Sequence, residues 1–467
     1  MGKIVICLFL MCVLVASGCG YGSMTNYGGG TTTQAAAAFN ATLNTGDAVN
    51  DQILKFEITV SSVTLTATSP AMTTANLLSK PAEVEFVHQA GTFEPLALAN
   101  IPAGTFSGGN SYSGGGTYSG STTYSGATFT VSNAEVVVLN AGVPVSVPAN
   151  LTATTVTVVF NPAITMNGNS IATINFDLDL AGSVTLNGTP VTSATVNPMF
   201  NVTSNAIPAI ANQDDNSGEI EDIHGSVTNI SAPNLTLQTS RAAFPFITDI
   251  NTQFEGGITQ LSDLKVGDIV EVDGVTRPDG TKYASKVARN GGSTGEEVEG
   301  IITSETGSPA TALSIADQLD SSGSATPPTT VNVAINSGTV FAVRTDKLNL
   351  TSLPAFDASH IGKGQRVEAD SATAGFPTLA TGVKLREQAL VGTVAASPAP
   401  TSSSFTLNLS PTSVFGTLSG ETSIAVTVPS GIILKVAPTA GATMLLRGLV
   451  FFSGTSYTMI AITGDQN

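Results

Sequence analysis

Three near-copies of a hexapeptide, YSGGGT, YSGSTT and YSGATF, place Tyr112, Tyr118 and Tyr124 six residues apart. In an extended strand an even period sends every ring to the same side, about 20 Å from the next. A row of exposed tyrosines can stack on sugar faces or pack on a partner, because each ring offers a large contact area at small entropic cost. The same Gly- and Ser-rich repeat also fits a flexible hairpin insertion, and both readings stand. A second group, Asp214, Asn216, Glu219, Glu221 and Asp222, could offer oxygen ligands to calcium, which takes about six to eight of them from flexible loops. Their spacing is not that of an EF-hand, and a self-repelling, solvated linker is the plainer account. Asp177 and Asp179 would sit about 7 Å apart on the polar side of one strand. That separation could flank a glycosidic bond or join a calcium site, yet glycosidases draw the pair from different strands and line the cleft with aromatics. Trp is absent, so a solvated strand face is the simpler reading. Gly291-Gly292-Ser293-Thr294-Gly295 has the form of a nucleophile elbow but lies in a Gly-rich joint, without the strand before it and helix after it that the elbow requires. His88, His224 and His360 are the three histidines and form no HExxH pattern; His224, near Asp222, could respond to pH.

The scaffold that must position these residues is β-rich. Only 11% of the 467 residues are charged, against about 25% in an ordinary globular protein, and Gly, Thr and Ser fill the gap. The length allows about two to four domains. A net charge of -17 argues against nucleic acid as a partner, as does the absence of Lys and Arg between Pro81 and Ser240. At the N-terminus Met1-Gly2-Lys3 precedes an apolar run over 4–15 and then Ala16-Ser17-Gly18-Cys19. The run is too short to span a bilayer, which takes about 20 residues, and reads as a secretory signal. Its end resembles the bacterial lipobox, in which cleavage leaves the cysteine, here Cys19, to be lipidated; Ala16 stands where Leu is usual. Cys7, Cys12 and Cys19 all fall in this segment, so the exported chain would have neither disulfide nor catalytic thiol. Residues 1–19 are expected to be a lipoprotein signal peptide and 20–39 a flexible tether. Gly20 after the cysteine favours the outer membrane by the sorting rules this resemblance implies.

Leu54, Phe56, Ile58 and Val60 alternate with Lys55, Glu57 and Thr59, the pattern of a half-buried strand. Val84 and Phe86, then Val156, Val158 and Phe160, then Ile174, Phe176, Leu178 and Leu180 repeat it. Residues 40–204 are therefore expected to form an antiparallel β-sandwich, followed by an acidic linker over 205–222. Beyond it a repeat appears. Copies open at His224-Gly225, Glu299-Gly300 and Val391-Gly392, and return at Val266-Gly267-Asp268, Lys363-Gly364-Gln365 and Ala440-Gly441-Ala442, each before a strong strand. Three small β-barrels over 223–292, 293–388 and 389–467 would explain them. In the first, Pro278-Asp279-Gly280 has the composition of a tight turn.

The first unit resembles domain of unknown function 4382 of bacterial lipoproteins through Ser62-Val63, Ile101-Pro102-Ala103-Gly104-Thr105-Phe106, Asn175-Phe176-Asp177-Leu178-Asp179, Ser183-Val184 and Asn197-Pro198. The first repeat is similar to domain of unknown function 5666, an OB-like barrel, through Gly225 and the run from Leu264-Lys265-Val266-Gly267-Asp268 to Asp273-Gly274. The later copies resemble it more weakly, and the third lacks the Gly-Asp pair. These resemblances imply architecture and an envelope location and assign no catalytic residue. The expected fold is all-β, an N-terminal antiparallel sandwich followed by three OB-like barrel repeats. The expected function is a non-enzymatic, lipid-anchored envelope protein, exported to the outer membrane or cell surface. Its role would be binding, adhesion or structure, with a polysaccharide or another envelope protein as partner and no cofactor unless calcium. The alternative is a calcium-dependent hydrolase of envelope or extracellular polysaccharide.

Overall fold

The computed structural model describes residues 34–466 apart from 45–51, 70, 79, 88–93, 108–116, 120, 168–170, 207–218, 240–242, 277–281, 290–296, 318–328, 344–352, 372–377, 433 and 435. The fold is all-β. The first unit contains β1 (Gln34–Asn44), β2 (Ile53–Ser69), β3 (Ala71–Thr73), β4 (Ala82–Glu85), β5 (Glu94–Ser107), β6 (Thr117–Ser119) and β7 (Thr122–Asn140). It continues through β8 (Val143–Val147), β9 (Ala149–Leu151), β10 (Thr155–Met166), β11 (Ile171–Leu178), the helical turn α1 (Leu180–Ser183), β12 (Val184–Asn187), β13 (Ser193–Val196) and β14 (Phe200–Ala206). Two sheets enclose one core, the first in the order β14-β11-β1-β5-β6 and the second β10-β7-β2-β3, with β4 on β2 and β8 on β7. Between the sheets Phe129 meets Phe176 edge-on at 4.7 Å and stacks on Phe200 at 4.8 Å. The pairing is antiparallel except for β1 with β11 and β9 with β13, which run parallel. A parallel pair needs a long crossover, and the second sheet, which the chain builds between β1 and β11, provides one.

Period-two alternation explains the inward residues. Phe56, Ile58 and Val60 enter the sandwich core, whereas a register shift between Ile53 and Lys55 turns Leu54 elsewhere. Leu54 packs with Val137, Ile301, Ala316 and Leu418, an apolar contact between the sandwich and the second and third barrels.

The first barrel comprises β15 (Glu219–Ser231), β16 (Asn234–Gln238), β17 (Ala243–Ile247), β18 (Gln253–Glu255), β19 (Ile269–Thr276) and β20 (Lys282–Arg289). The second comprises β21 (Glu297–Thr306), β22 (Ala312–Asp317), β23 (Val331–Ala334), β24 (Val340–Val343), β25 (Arg366–Asp370) and β26 (Gly382–Leu385). The third comprises β27 (Gln388–Val394), β28 (Ser404–Leu409), the short helix α2 (Val414–Ser419), β29 (Ser423–Thr427), β30 (Thr443–Phe452) and β31 (Tyr457–Gln466). All three follow one path. The opening strand lies between its hairpin partner and the landmark strand, and the last strand closes parallel to the third at Ile247↔Tyr283 and Ala425↔Thr458, with an isolated parallel bridge, Ala334↔Leu379, just before β26 in the second barrel. This is the OB-like order, and in the third copy the ring is fully closed.

Glycine makes the repeat visible because two positions cannot tolerate a side chain. A Cβ on Gly392 would lie 2.3 Å from the Asn408 carbonyl oxygen, and one on Gly225 would lie 2.9 Å from that of Gln238. The landmark glycines Gly267, Gly364 and Gly441 all have positive φ, at 97°, 86° and 81°. Each donates its N–H at 2.8 Å to the opening strand of its barrel, to Val227, Ile302 and Val394 respectively. Alanine at Gly267, where the surroundings are open, should lower stability by on the order of 1 kcal/mol through backbone strain alone. Gly364→Ala should lower it further, because its Cβ would sit 2.7 Å from the Phe415 ring. Thermal melts of the two variants compare them, and equal shifts would show that the ring moves aside.

Candidate functional site

The tyrosine row does not form. Tyr118 lies on β6, opposite Phe106 in the first sheet, whereas Tyr124 lies on β7 in the second. The chain changes sheets between them, so an even period no longer means a shared side. Tyr124 is 1% exposed and its hydroxyl donates to the Pro102 carbonyl at 2.8 Å. It is a core residue joining the two sheets, which corrects its assignment as a ligand contact. Tyr112 falls outside the described residues. Burial pushes the Tyr124 phenol up from 10.0 to about 12. Because the folded value exceeds the unfolded one, the neutral phenol's contribution is intact below pH 10 and is lost as pH rises toward 12. Tyr124→Phe should lose about 1 kcal/mol at neutral pH with its hydrogen bond, and its stability should then decline less than wild type between pH 10 and 12, read as melting temperature against pH.

Of the proposed calcium ligands, Asp214 and Asn216 lie outside the described residues, while Glu219, Glu221 and Asp222 occupy the start of β15, around a register shift between Ile220 and Ile223. Among the described residues no group of three or more His, Cys, Asp or Glu is placed to hold a metal ion. Asp177 and Asp179 do not share a strand. Asp177 is the next-to-last residue of β11, opposite Asn44 and Asn201, and Asp179 caps α1, accepting the Gly182 N–H at 2.7 Å. Cys19, His88 and the Gly291–Gly295 stretch are outside the described residues. The His360 Nδ1 lies 2.8 Å from Asp357, and this hydrogen bond holds the Asp357 carboxyl below its usual range. His224 stands 4.0 Å from Glu271.

Glu271 leads to the densest chemistry in the described chain, a buried ionic seam between the barrels. The cross-strand partners Glu299 and Glu368, on β21 and β25, are 1% and 0% exposed. Two carboxylates so close repel, and cations hold them. Arg386 reaches Glu299 at 3.2 Å and Glu368 at 2.9 Å, and Arg366 reaches Glu299 at 2.7 Å. Lys384 also pairs with Glu368. Arg386 further approaches Glu271 of the first barrel at 3.7 Å, and Glu271 binds Lys286 at 3.0 Å. Burial depresses Lys384, but Glu368 and Asp370 outweigh it and hold the ammonium above its ordinary value. Burial likewise pulls Arg366 down, opposed by Glu299.

The seam continues into the third barrel. Glu387 pairs with Arg447 at 2.9 Å, Gln365 donates to the Val450 carbonyl at 2.9 Å, and Gln388 spans the Arg366 N–H and the Gly364 carbonyl. Leu449, Phe451 and Ile462 of the third barrel meanwhile complete the core of the second. A cleft of about 60 Å³ lies where Leu54, Ile301, Arg366, Gln388 and Phe415 meet. Ligand pockets run to about 300–1,000 Å³, so it has room for water and not for a sugar.

The landmark turn of the first barrel supports its own strand. Asp268 accepts the Lys265 N–H at 2.9 Å and pairs with Arg289 at 2.9 Å. Residues 224–288 match the family model described as Domain of unknown function (DUF5666). No curated protein and no solved structure matches the chain. The DUF5666 match takes in the opening strand, the Gly267-Asp268 turn and the return strand, the parts whose geometry recurs in the other barrels. In the second barrel Gln365 replaces Asp268 and makes the equivalent turn bond to the Gly362 N–H at 2.7 Å. In the third, Ala442 has no side chain to do so.

Proposed function

We propose that this is a non-enzymatic, lipid-anchored protein of the cell envelope, in which the three barrels form a stiff support and the sandwich is the binding module. The observation that carries this reading is the seam. Most of its carboxylates and cations pair within the second barrel, and Arg386–Glu271, Glu387–Arg447 and Gln365–Val450 carry it to the neighbouring barrels; a buried, mutually paired set of this kind fixes how units meet rather than acting on a substrate. The lipobox-like end at Cys19, the resemblance of the first unit to domain of unknown function 4382 and the DUF5666 match support an exported architectural protein, with the outer membrane as its site.

Feeding an alkyne fatty acid to cells expressing the full chain should label it and place it in the membrane fraction, and Cys19→Ala should abolish both. An unlabelled, freely secreted wild-type chain would overturn the anchor. Release of reducing sugar ends from polysaccharide on adding calcium would overturn the non-enzymatic reading.

A further inference from the structure

One end of the outer face of the second sheet carries hydroxyl groups and no charge, whereas toward its other end Lys55 pairs with Glu57 and Glu135, and Glu83 lies across from Thr59. Residues 61–69 of β2, 122–132 of β7 and 155–166 of β10 contain no Asp, Glu, Lys or Arg, in a chain of net charge -17. Val63, Leu65, Phe129 and Val158 point into the core, and the alternate positions point out. Register places Ser62, Thr130 and Thr155 side by side across three strands, and Thr64, Thr128 and Thr157 in the next row. Thr73 and Thr66 lie opposite each other beyond them, and Thr123 faces Thr165. Neighbours within a row are about 4.8 Å apart and successive rows about 7 Å apart. Ser62 donates to Thr130 at 2.9 Å, and the Thr123 and Thr165 hydroxyls lie 3.2 Å apart.

Thr suits strands, and cross-strand Thr pairs stabilise them, which accounts for Thr on a solvated face. It does not account for the missing charges. β10 is the edge of this sheet, and edge strands ordinarily carry charged residues to prevent pairing with another chain. Here a register shift between Val159 and Ile164, around Pro162, does that work, and the hydroxyl rows stay neutral.

We propose that this face binds a neutral polysaccharide. A hydroxyl both donates and accepts, as do the hydroxyls of an uncharged sugar, and the Thr methyl can lie on its C–H surface. A polyanion would find no counter-charge here and would be repelled by the rest of the chain. A protein partner would ordinarily be anchored by buried aromatics or Arg, whereas Val159 is the large apolar side chain that this face exposes among the described residues. The rows form a surface and not a pocket, which suits a long polymer held by many weak contacts. The inference rests on the proposed role of the sandwich as a binding module and names its ligand.

The test is retention of the full-length, detergent-solubilised protein on insoluble β-glucan and on alginate beads, at low and high salt, with Cys19 labelling followed in parallel. Wild type should be retained on the neutral glucan independently of salt and not on alginate. Thr128→Lys/Thr157→Lys should weaken retention about tenfold or more. Thr128→Val/Thr157→Val, which keeps shape and strand preference and removes hydroxyls outside the Ser62–Thr130 hydrogen bond, should weaken it as well, with unchanged melting. Retention of both variants at the wild-type level would put the glycan elsewhere and overturn this inference while leaving the binding function intact. Retention on alginate alone, or on neither support, would overturn it. So would a wild-type dimer in sedimentation that the lysine variant dissociates, since the face would then meet a second copy. Loss of Cys19 labelling would count against the proposed function alone.

Discussion

Glu368→Ala should destabilise the barrels by about 3 kcal/mol, because removing it leaves Arg386 and Lys384 each short of a carboxylate. Glu368 is fully buried and meets both Arg386 and Lys384, and Arg386 is buried too. An exposed pair such as His360 with Asp357 should change stability by less than about 1 kcal/mol when broken, so Asp357→Ala is the matched control. Urea melts of the two variants give the comparison. A shift for Glu368→Ala no larger than the control would mean that the seam is hydrated and that its pairs hold little.

Alkaline titration gives the same seam a second readout. The folded value of Lys384 is raised above its unfolded one. Its contribution is therefore complete below the ordinary lysine value and lost as pH climbs through the folded one. In Glu368→Ala the chief source of that elevation is gone. The variant should therefore show less stability loss at high pH than wild type once Tyr124, which also titrates there, is replaced by Phe in both.

What the sequence made legible follows from local rules. Alternation located β2, β10 and β11 because their inward residues meet one core. The landmark glycines located the barrels because positive φ at Gly267, Gly364 and Gly441 excludes most other residues. The site residues failed where the rule was local and the outcome was not. Tyr124 turned inward because β6 and β7 belong to different sheets, which no spacing within the hexapeptides records. Asp179 left the strand face because the chain ends β11 at Leu178 and begins a helical turn that needs a cap. The seam was hidden for a related reason. Alternation in Val270-Glu271-Val272 and Val367-Glu368-Ala369 shows that the glutamates point outward, not that another barrel covers them. A signal was present in the recurrence of a glutamate at one register in two copies of a chain with few charges.

Phe129→Ala tests whether sandwich and barrels unfold as one body. Phe129 is fully exposed to neither side of its sheet; it is buried, with Phe176 edge-on at 4.7 Å and Phe200 stacked at 4.8 Å. Its loss should cost about 3–5 kcal/mol, the transfer of the ring plus the cavity left behind. Phe129→Leu, which refills most of that space, should cost clearly less. The apolar contact of Leu54 and Val137 with Ile301, Ala316 and Leu418 is one route by which the loss would reach the barrels, beside the contact of β5 with β15. It involves few side chains beside the extended core inside the sandwich, so calorimetry of Phe129→Ala should show the sandwich transition falling while the barrel transition stays. A single transition that moves as a whole would mean that this small contact couples all four units. In that case the Glu368→Ala variant should lower the melting of the sandwich as much as that of the barrels.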